Sequence, residues 1–360
     1  MNSLEKPQVL VFTETIEEDY TFFDIKWIPT SARFVVIGCH TKGTGSIRVY
    51  SFVGRELKLS SKNDGDDTFS YKCGTFKSSD LSNRNLTTGD FKGNIHIWDL
   101  ENLSTPKDSF KSAHSDLINS IDGSQRSGEI LTASRDGSVK VWDVRVREKP
   151  VAVMIPRETE YKRDCWTASF GQDGSLIAAG YDNGDIKIFD LKAMSVLSEP
   201  HLNNGVCSVE FDRSETEPAN KLIATCLQGK IHAFDLRTLH PKKGYAQTFE
   251  KFTGSNHTTL WGVRHLPQNR DIFGVISGSG SLGLYQYQYP DKRSDLDNNN
   301  VPQGVPGTIV ELQETTISDQ PVNALDWSKD KLGLAVCTAF DKKNKNCHCN
   351  EVKYYLMNVV

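Results

Sequence analysis

Three sets of residues in this chain have the types and spacing to do chemistry. His114, Asp136 and a hydroxyl at Ser134 or Thr132 supply an imidazole, a carboxylate and an alcohol, the parts of an acyl-transfer relay. Cys347, His348 and Cys349 are adjacent soft ligands for a metal ion. Residues 277–283, SGSGSLG, form a glycine-rich run of the kind that can cradle phosphate.

Each set also has a structural reading, and the spacing favours it. The His114 set continues into Trp142, and parts of it return at Asp90 with Trp98 and at Asp182 with Phe189. A relay that repeats, with no nucleophile turn, reads as a buried tetrad of His114, Ser134 (or Thr132), Asp136 and Trp142, in which paired polar groups lock a fold. The Cys-His-Cys triplet lacks a second ligand pair at finger-like spacing. No Lys-Ser/Thr and no helix follow SGSGSLG, so it reads as a hairpin turn. No paired carboxylates, HExxH or kinase set appears. The expectation is therefore no catalytic residue, no cofactor and no metal.

The elements that hold these residues come from a repeat. Residues 88–100 (TGDFKGNIHIWDL), 133–144 (ASRDGSVKVWDV), 179–191 (AGYDNGDIKIFDL) and 225–236 (TCLQGKIHAFDL) return about every 44 to 51 residues. Each reads as a strand, a tight turn, a second strand and an aromatic-Asp ending, the WD-repeat signature. Lys92-Gly93, Asp136-Gly137, Asn183-Gly184 and Gln228-Gly229 supply the turns, because Gly takes the positive φ of tight hairpins. No stretch gives a convincing amphipathic helix. The predicted fold is all-β, a seven-bladed WD-repeat β-propeller filling the chain as one domain. Its blades are placed at about 16–62, 68–111, 114–156, 163–201, 204–251, 257–316 and 320–360. Residues 8–15 are the closing outer strand of the last blade, since a closed ring removes exposed sheet edges. The least ordered segments should be 291–307, rich in Asn, Pro and Gly, and 60–68.

Composition agrees with a binding scaffold. The 360 residues carry 24% charged side chains and a net charge of −4, unlike a basic nucleic-acid binder. No apolar run is long enough to span a bilayer, and the first residues do not form a secretory signal. Eight cysteines, mostly on predicted strands, read as reduced core thiols of an intracellular protein.

A partner would meet one rim of the ring. The inner-strand starts give a column of Phe23, Lys72, Leu117, Trp166, Cys207, Trp261 and Asn323, and the hairpins add Arg135, Tyr181 and Phe340. Trp, Tyr and Arg are enriched at binding hot spots, so Trp166, Trp261, Arg135, Tyr181, Phe340 and Arg163 are the candidate contacts. The alternative is that these aromatics plug the channel. Arg145 and Arg237 follow aromatic-Asp endings, a pattern also seen in substrate receptors of Cullin–RING ubiquitin ligases; a solvated turn arginine is the plainer reading.

Beyond the generic repeat, the chain resembles the Monad family of WD-repeat proteins, also called dynein axonemal assembly factors. The resemblance rests on FDIKWIP, KCGTF, TGDFKGNIHIWDL, SRDGSVKVWD, KRDCW, AGYDNGDIKIFDL, NGVCSVEFDR and HLPQNR, and covers nearly the whole chain. It implies a non-catalytic cytoplasmic co-chaperone adaptor, monomeric, binding neither nucleic acid nor membrane. The implied partners are RuvB-like AAA+ ATPases and prefoldin-like subunits, with dynein heavy chains as a further candidate. The implied outcome is preassembly of axonemal dyneins for motile cilia, and a link to apoptosis. One departure follows Asp341. Where the family runs straight into a short Val-rich strand, this chain has KKNKNCHCNEVKYYLMNVV, in which 352–359 is expected to close the ring.

Overall fold

The computed structural model describes residues 8–16, 20–40, 43–53, 56–65, 70–124, 127–146, 149–155, 163–171, 174–213, 217–253, 258–340 and 350–358. They form seven four-stranded antiparallel sheets and one two-stranded ribbon. Six sheets are each built from one continuous stretch of chain. The other joins the two ends: Val322–Trp327, Leu334–Ala339, Asn350–Asn358 and Gln8–Ile16, with Gln8 opposite Asn358 and Ile16 opposite Asn350. We number the sheets as blades 1 to 7 from Tyr20–Trp27 onward, with this composite sheet last.

The innermost strands are Tyr20–Trp27, Tyr71–Thr75, Ile118–Gly123, Cys165–Phe170, Val206–Phe211, Leu260–Leu266 and Val322–Trp327. Each touches the next in chain order, and the seventh touches the first. Buried apolar side chains fall into seven clusters, each shared by two adjacent blades. Cys165, Phe170 and Tyr181 of blade 4, for example, pack with Leu131 and Val141 of blade 3. The core is thus a set of wedges between sheets, as expected when strands bear β-branched and aromatic residues on both faces.

Polar side chains of the inner strands tie each blade to its neighbour. Asp24 accepts the Gly74 N–H at 2.9 Å, Asp122 accepts Phe170 N–H at 2.9 Å, and Glu210 accepts His265 N–H at 2.5 Å. At the seam, Asp326 accepts the Trp27 N–H at 2.7 Å, and the Asn323 amide donates to Phe22 O. A buried backbone donor needs a partner, and here the partner comes from the adjacent sheet.

The hairpin glycines behave as their turns require. Gly93, Gly137, Gly184, Gly229 and Gly280 all have positive φ. At Gly280 a Cβ would stand 1.9 Å from Ser318 O, so the chain crossing to the next blade leaves no room for a side chain.

Two disorder expectations need correction. Within 291–307, Ser294–Leu296 pairs with Pro302–Gly304, and this ribbon docks on blade 5. Arg293 donates to Asp235 from Nε at 3.0 Å and from Nη2 at 2.7 and 2.8 Å, and His240 meets Asp297 at 3.2 Å. Composition reported few apolar residues, but the docking is ionic. In 60–68, residues up to Asp64 belong to the outer strand Glu56–Asp64, and 66–69 lie outside the described residues. Of the cysteines described, Cys73, Cys165, Cys226 and Cys337 are buried free thiols. Cys347, His348 and Cys349 lie outside the described residues. No described helix is long and apolar enough to cross a membrane.

Candidate functional site: the upper rim of the ring

One irregularity recurs in all seven inner strands. Pairing with the second strand skips a residue near the start, leaving a bulge at Phe23, Lys72, Asn119, Trp166, Cys207, Trp261 and Asn323. The residue just before each bulge is buried: Phe22, Tyr71, Ile118, Cys165, Val206, Leu260 and Val322. The bulged residues are half-buried or, for Trp261, 44% exposed. A bulge frees one residue from the ladder and re-aims its side chain, so the ring presents seven such positions on one rim. The blade 3 member is Asn119, not Leu117. Leu117 is buried two positions earlier, and its carbonyl accepts the Arg135 N–H at 3.1 Å.

A second tier comes from the hairpins. Backbone N–H groups of Phe91, Arg135, Asp182, Leu227, Gly278 and Phe340 donate to Ser70, Leu117, Asp164, Gly205, Thr259 and Pro321, at 2.8–3.1 Å. Those acceptors lie just before the bulged strands, so hairpin and bulge share the rim. The Phe91 ring lies tilted against Phe23, centroids 5.3 Å apart, with Lys72 Nζ at 5.7 Å from the Phe91 ring. Trp166 Cζ3 and Asp182 O would stand 2.6 and 2.8 Å from a Cβ on Gly205. The Trp261 Nε1 would stand 3.3 Å from a Cβ on Gly278.

The expected contacts divide on this frame. Trp166, Trp261, Arg135, Phe340 and Arg163 are half-buried or exposed. Arg135 is held by Asp116, with Nε to Oδ2 at 3.0 Å and Nη2 to Oδ1 at 2.9 Å. Tyr181 is a correction: it is 1% exposed and belongs to the wedge between blades 3 and 4. It aligns with Ser134 on the strand, whereas the rim position in blade 4 is Asp182. Phe91, Asp182 and Leu227 are rim residues that the column of inner-strand starts did not reveal. The shared N–H to carbonyl step is visible only once strands are paired.

The tetrad is assembled, with one substitution in its membership. His114 Nδ1 lies 3.0 Å from Asp136 Oδ2, and Nε2 lies 2.7 Å from Thr132 Oγ1. Trp142 Nε1 donates to the same Thr132 Oγ1 at 3.0 Å. The hydroxyl is therefore Thr132 and not Ser134. Trp142 faces Ile130 across the ladder, which puts Thr132 one diagonal step away and Ser134 out of the indole's reach. Ser134 Oγ donates instead to Asp116 O at 3.2 Å.

The donors run in one direction. Asp136 can only accept, so His114 Nδ1–H donates to it, Thr132 O–H donates to Nε2, and the indole donates to Thr132. This order needs a neutral imidazole. Burial pulls the His114 pKa down, against the opposing pull of Asp136. Burial pushes the Asp136 carboxyl up, but hydrogen bonds from His114 and Ser138 outweigh it and hold the group well below the usual range. Thr132 has no exposed surface, so no substrate reaches its oxygen. In blade 2, Trp98 Nε1 donates to Thr88 at 2.9 Å, while Asp90 takes its imidazole from His96 at 3.1 Å.

The two Asp-x-Arg copies differ. Arg145 folds back on Asp143 at 2.7 Å, whereas Arg237 donates to Asn220 at 2.9 Å and Asp235 is taken by Arg293. Among the described residues no group of three or more His, Cys, Asp or Glu side chains is placed to hold a metal.

A closed ring of antiparallel sheets with aromatic-Asp endings and an indole–hydroxyl–imidazole–carboxylate network defines a WD-repeat propeller. The WD domain, G-beta repeat model matches residues 104–143 and 157–190. The chain is 49% identical to dynein axonemal assembly factor 10 of Xenopus tropicalis, over 94% of this chain and 95% of the relative. It is 48% identical to the Bos taurus protein of that name (95% and 96%), and 43% identical to that of Chlamydomonas reinhardtii (95% and 96%). The chain belongs to the dynein axonemal assembly factor 10 family, as the sequence resemblance implied.

Proposed function

We propose that this chain is a non-enzymatic, monomeric adaptor that works in cytoplasmic preassembly of axonemal dyneins. It would use its upper rim to join a RuvB-like and prefoldin-like chaperone complex to its clients. The single observation that carries this reading is the rim itself: seven bulged side chains, Trp166 and Trp261 among them, on one closed edge of a rigid ring. A preorganised surface spends little entropy on ordering, and exposed tryptophans are the residue type most enriched at hot spots. Near full-length identity to relatives named as dynein assembly factors supports the process. Seven four-stranded sheets, with ends paired in the last, support one seven-bladed domain.

The test is capture from a ciliated-cell lysate by tagged wild type beside Trp166→Ala and Trp261→Ala, each checked for folding by circular dichroism. Wild type should enrich the ATPases and prefoldin-like subunits, and folded rim variants should lose at least one of them. A folded double variant that keeps every partner sinks the rim reading. Enrichment of Cullin adaptors, lost in Arg145→Ala with Arg237→Ala, would replace it with the ligase-receptor reading. The unlike geometry of those two arginines argues against a shared adaptor contact.

A further inference from the structure

Away from the rim, the ends of the inner strands and the residues just after them enclose a cavity of about 830 Å³. Lys77 of blade 2, Arg213 of blade 5 and Arg264 of blade 6 are part of its lining. The carboxylates at this level are already committed. Asp122 accepts the Phe170 N–H and is also taken by Arg213, whose Nη1 reaches Gly123 O at 3.3 Å. Glu210 serves the His265 N–H, Asp326 serves the Trp27 N–H, and Asp24 takes Lys26.

Two cations are left over. Lys77 Nζ comes no closer than 3.7 Å to a described carboxylate, at Asp122 Oδ1. Arg264 donates from Nη1 to the Val263 carbonyl at 2.8 Å and forms no ion pair among the described residues. Neither Lys77 Nζ nor the other Arg264 nitrogens are buried, so a ligand in the cavity can reach them. Burial, with the nearby Arg213 and Arg264 charges, pulls the Lys77 pKa down to about 8, against the opposing pull of Asp122 and Glu210. Like charges in one cavity, each short of a carboxylate, are relieved by an incoming anion.

We propose that this cavity binds a small soluble polyphosphate, with one phosphate on the free Arg264 N–H groups and another on Lys77 Nζ. The site uses no rim residue and goes beyond the adaptor reading. The arginine fork matches two oxygens of one phosphate, and lysine meets another as a point charge. The cavity is far larger than a single oxyanion, so a ligand carrying several phosphates joins cations on separate blades.

The full chain is titrated calorimetrically with tripolyphosphate, ATP and inositol hexakisphosphate at one fixed ionic strength, with citrate as the non-phosphate anion. The expected result is saturable one-to-one binding of tripolyphosphate, with citrate at least about tenfold weaker. Tighter binding of ATP assigns the phosphates to a nucleotide, and tighter binding of inositol hexakisphosphate assigns them to an inositol frame. Lys77→Gln and Arg264→Gln should each weaken tripolyphosphate about tenfold. Lys58→Gln, at an exposed lysine of blade 1, should bind like wild type. Each variant is checked for an unchanged melting temperature without ligand, and Lys77→Gln decides alone if Arg264→Gln does not fold. No saturable binding of any polyphosphate, citrate binding as tightly, an equal loss in Lys58→Gln, or a folded Lys77→Gln that binds like wild type overturns the proposal.

Discussion

The Trp27 backbone N–H donates to the Asp326 carboxylate at 2.7 Å, joining positions 299 residues apart. This bond sits at the seam where the first and last blades meet. Burial raises the Asp326 pKa, against the opposing pull of Lys26 and the Trp27 N–H.

That geometry separates two substitutions. Asp326→Asn keeps an acceptor for Trp27 and removes a buried charge, so stability should change by less than about 1 kcal/mol. Asp326→Leu strands the N–H and should cost about 1–3 kcal/mol, read as a lower urea midpoint. Equal losses in the two variants would mean that the acceptor does not hold the seam.

Thr132 and Ser134 make a second contrast. Thr132→Val leaves His114 Nε2 and Trp142 Nε1 without partners and should destabilise by about 2–5 kcal/mol. Ser134→Ala removes bonds near the turn, to Asp116 O and from the Asp136 N–H, and should cost about 1 kcal/mol. Urea unfolding of the pair measures it, and the reverse ranking would return the tetrad hydroxyl to Ser134.

Acid should weaken the ring. Burial pulls the His232 pKa to about 4, aided by Lys230, and burial also pulls His114 down. A histidine whose folded pKa lies below its unfolded value of about 6.5 costs stability as pH falls through that window, because the unfolded chain binds the proton first. Asp136, held low, adds a further loss once pH drops below about 4. Stability should therefore decline from pH 6.5 to 4, with His232 contributing on the order of 2–3 kcal/mol. His232→Leu should flatten that part of the curve. An unchanged slope would mean that His232 is not the group responsible.

The docked ribbon predicts a protease result. Arg293→Ala leaves Asp235, which is 1% exposed, without its guanidinium. Breaking a buried pair from one side costs about 3–5 kcal/mol. Limited proteolysis should cut the variant near Asn298 and spare the wild type. An equally resistant variant would show that the ribbon is held by something else.

The repeat made most of the architecture legible. Aromatic-Asp endings at Trp98, Trp142, Phe189 and Phe234, each a short distance after a turn glycine, specify hairpins that cannot bury both faces alone. Stacked neighbours must cover them, and that alone leads to a propeller. His114, Asp136 and Trp142 were legible for the same reason, since their spacing belongs to the repeat.

What the tertiary structure decided lies where the pattern is silent about direction. Tyr181 and Asp182 are adjacent on a strand end, and one residue of register decides which enters a wedge and which reaches the rim. Asn119 rather than Leu117 joins the rim because a bulge sits after Ile118, and an extra residue in a ladder has no marker in composition. Thr132 rather than Ser134 completes the tetrad because the indole reaches one diagonal neighbour only. The segment around Ser294–Leu296 reads as loose because it lacks apolar residues, yet Arg293 and Asp297 find partners on another blade. Local sequence sets the strands and turns through nearest-neighbour preferences. Which side chain meets a distant partner depends on register and closure, which exist only when the ring is formed.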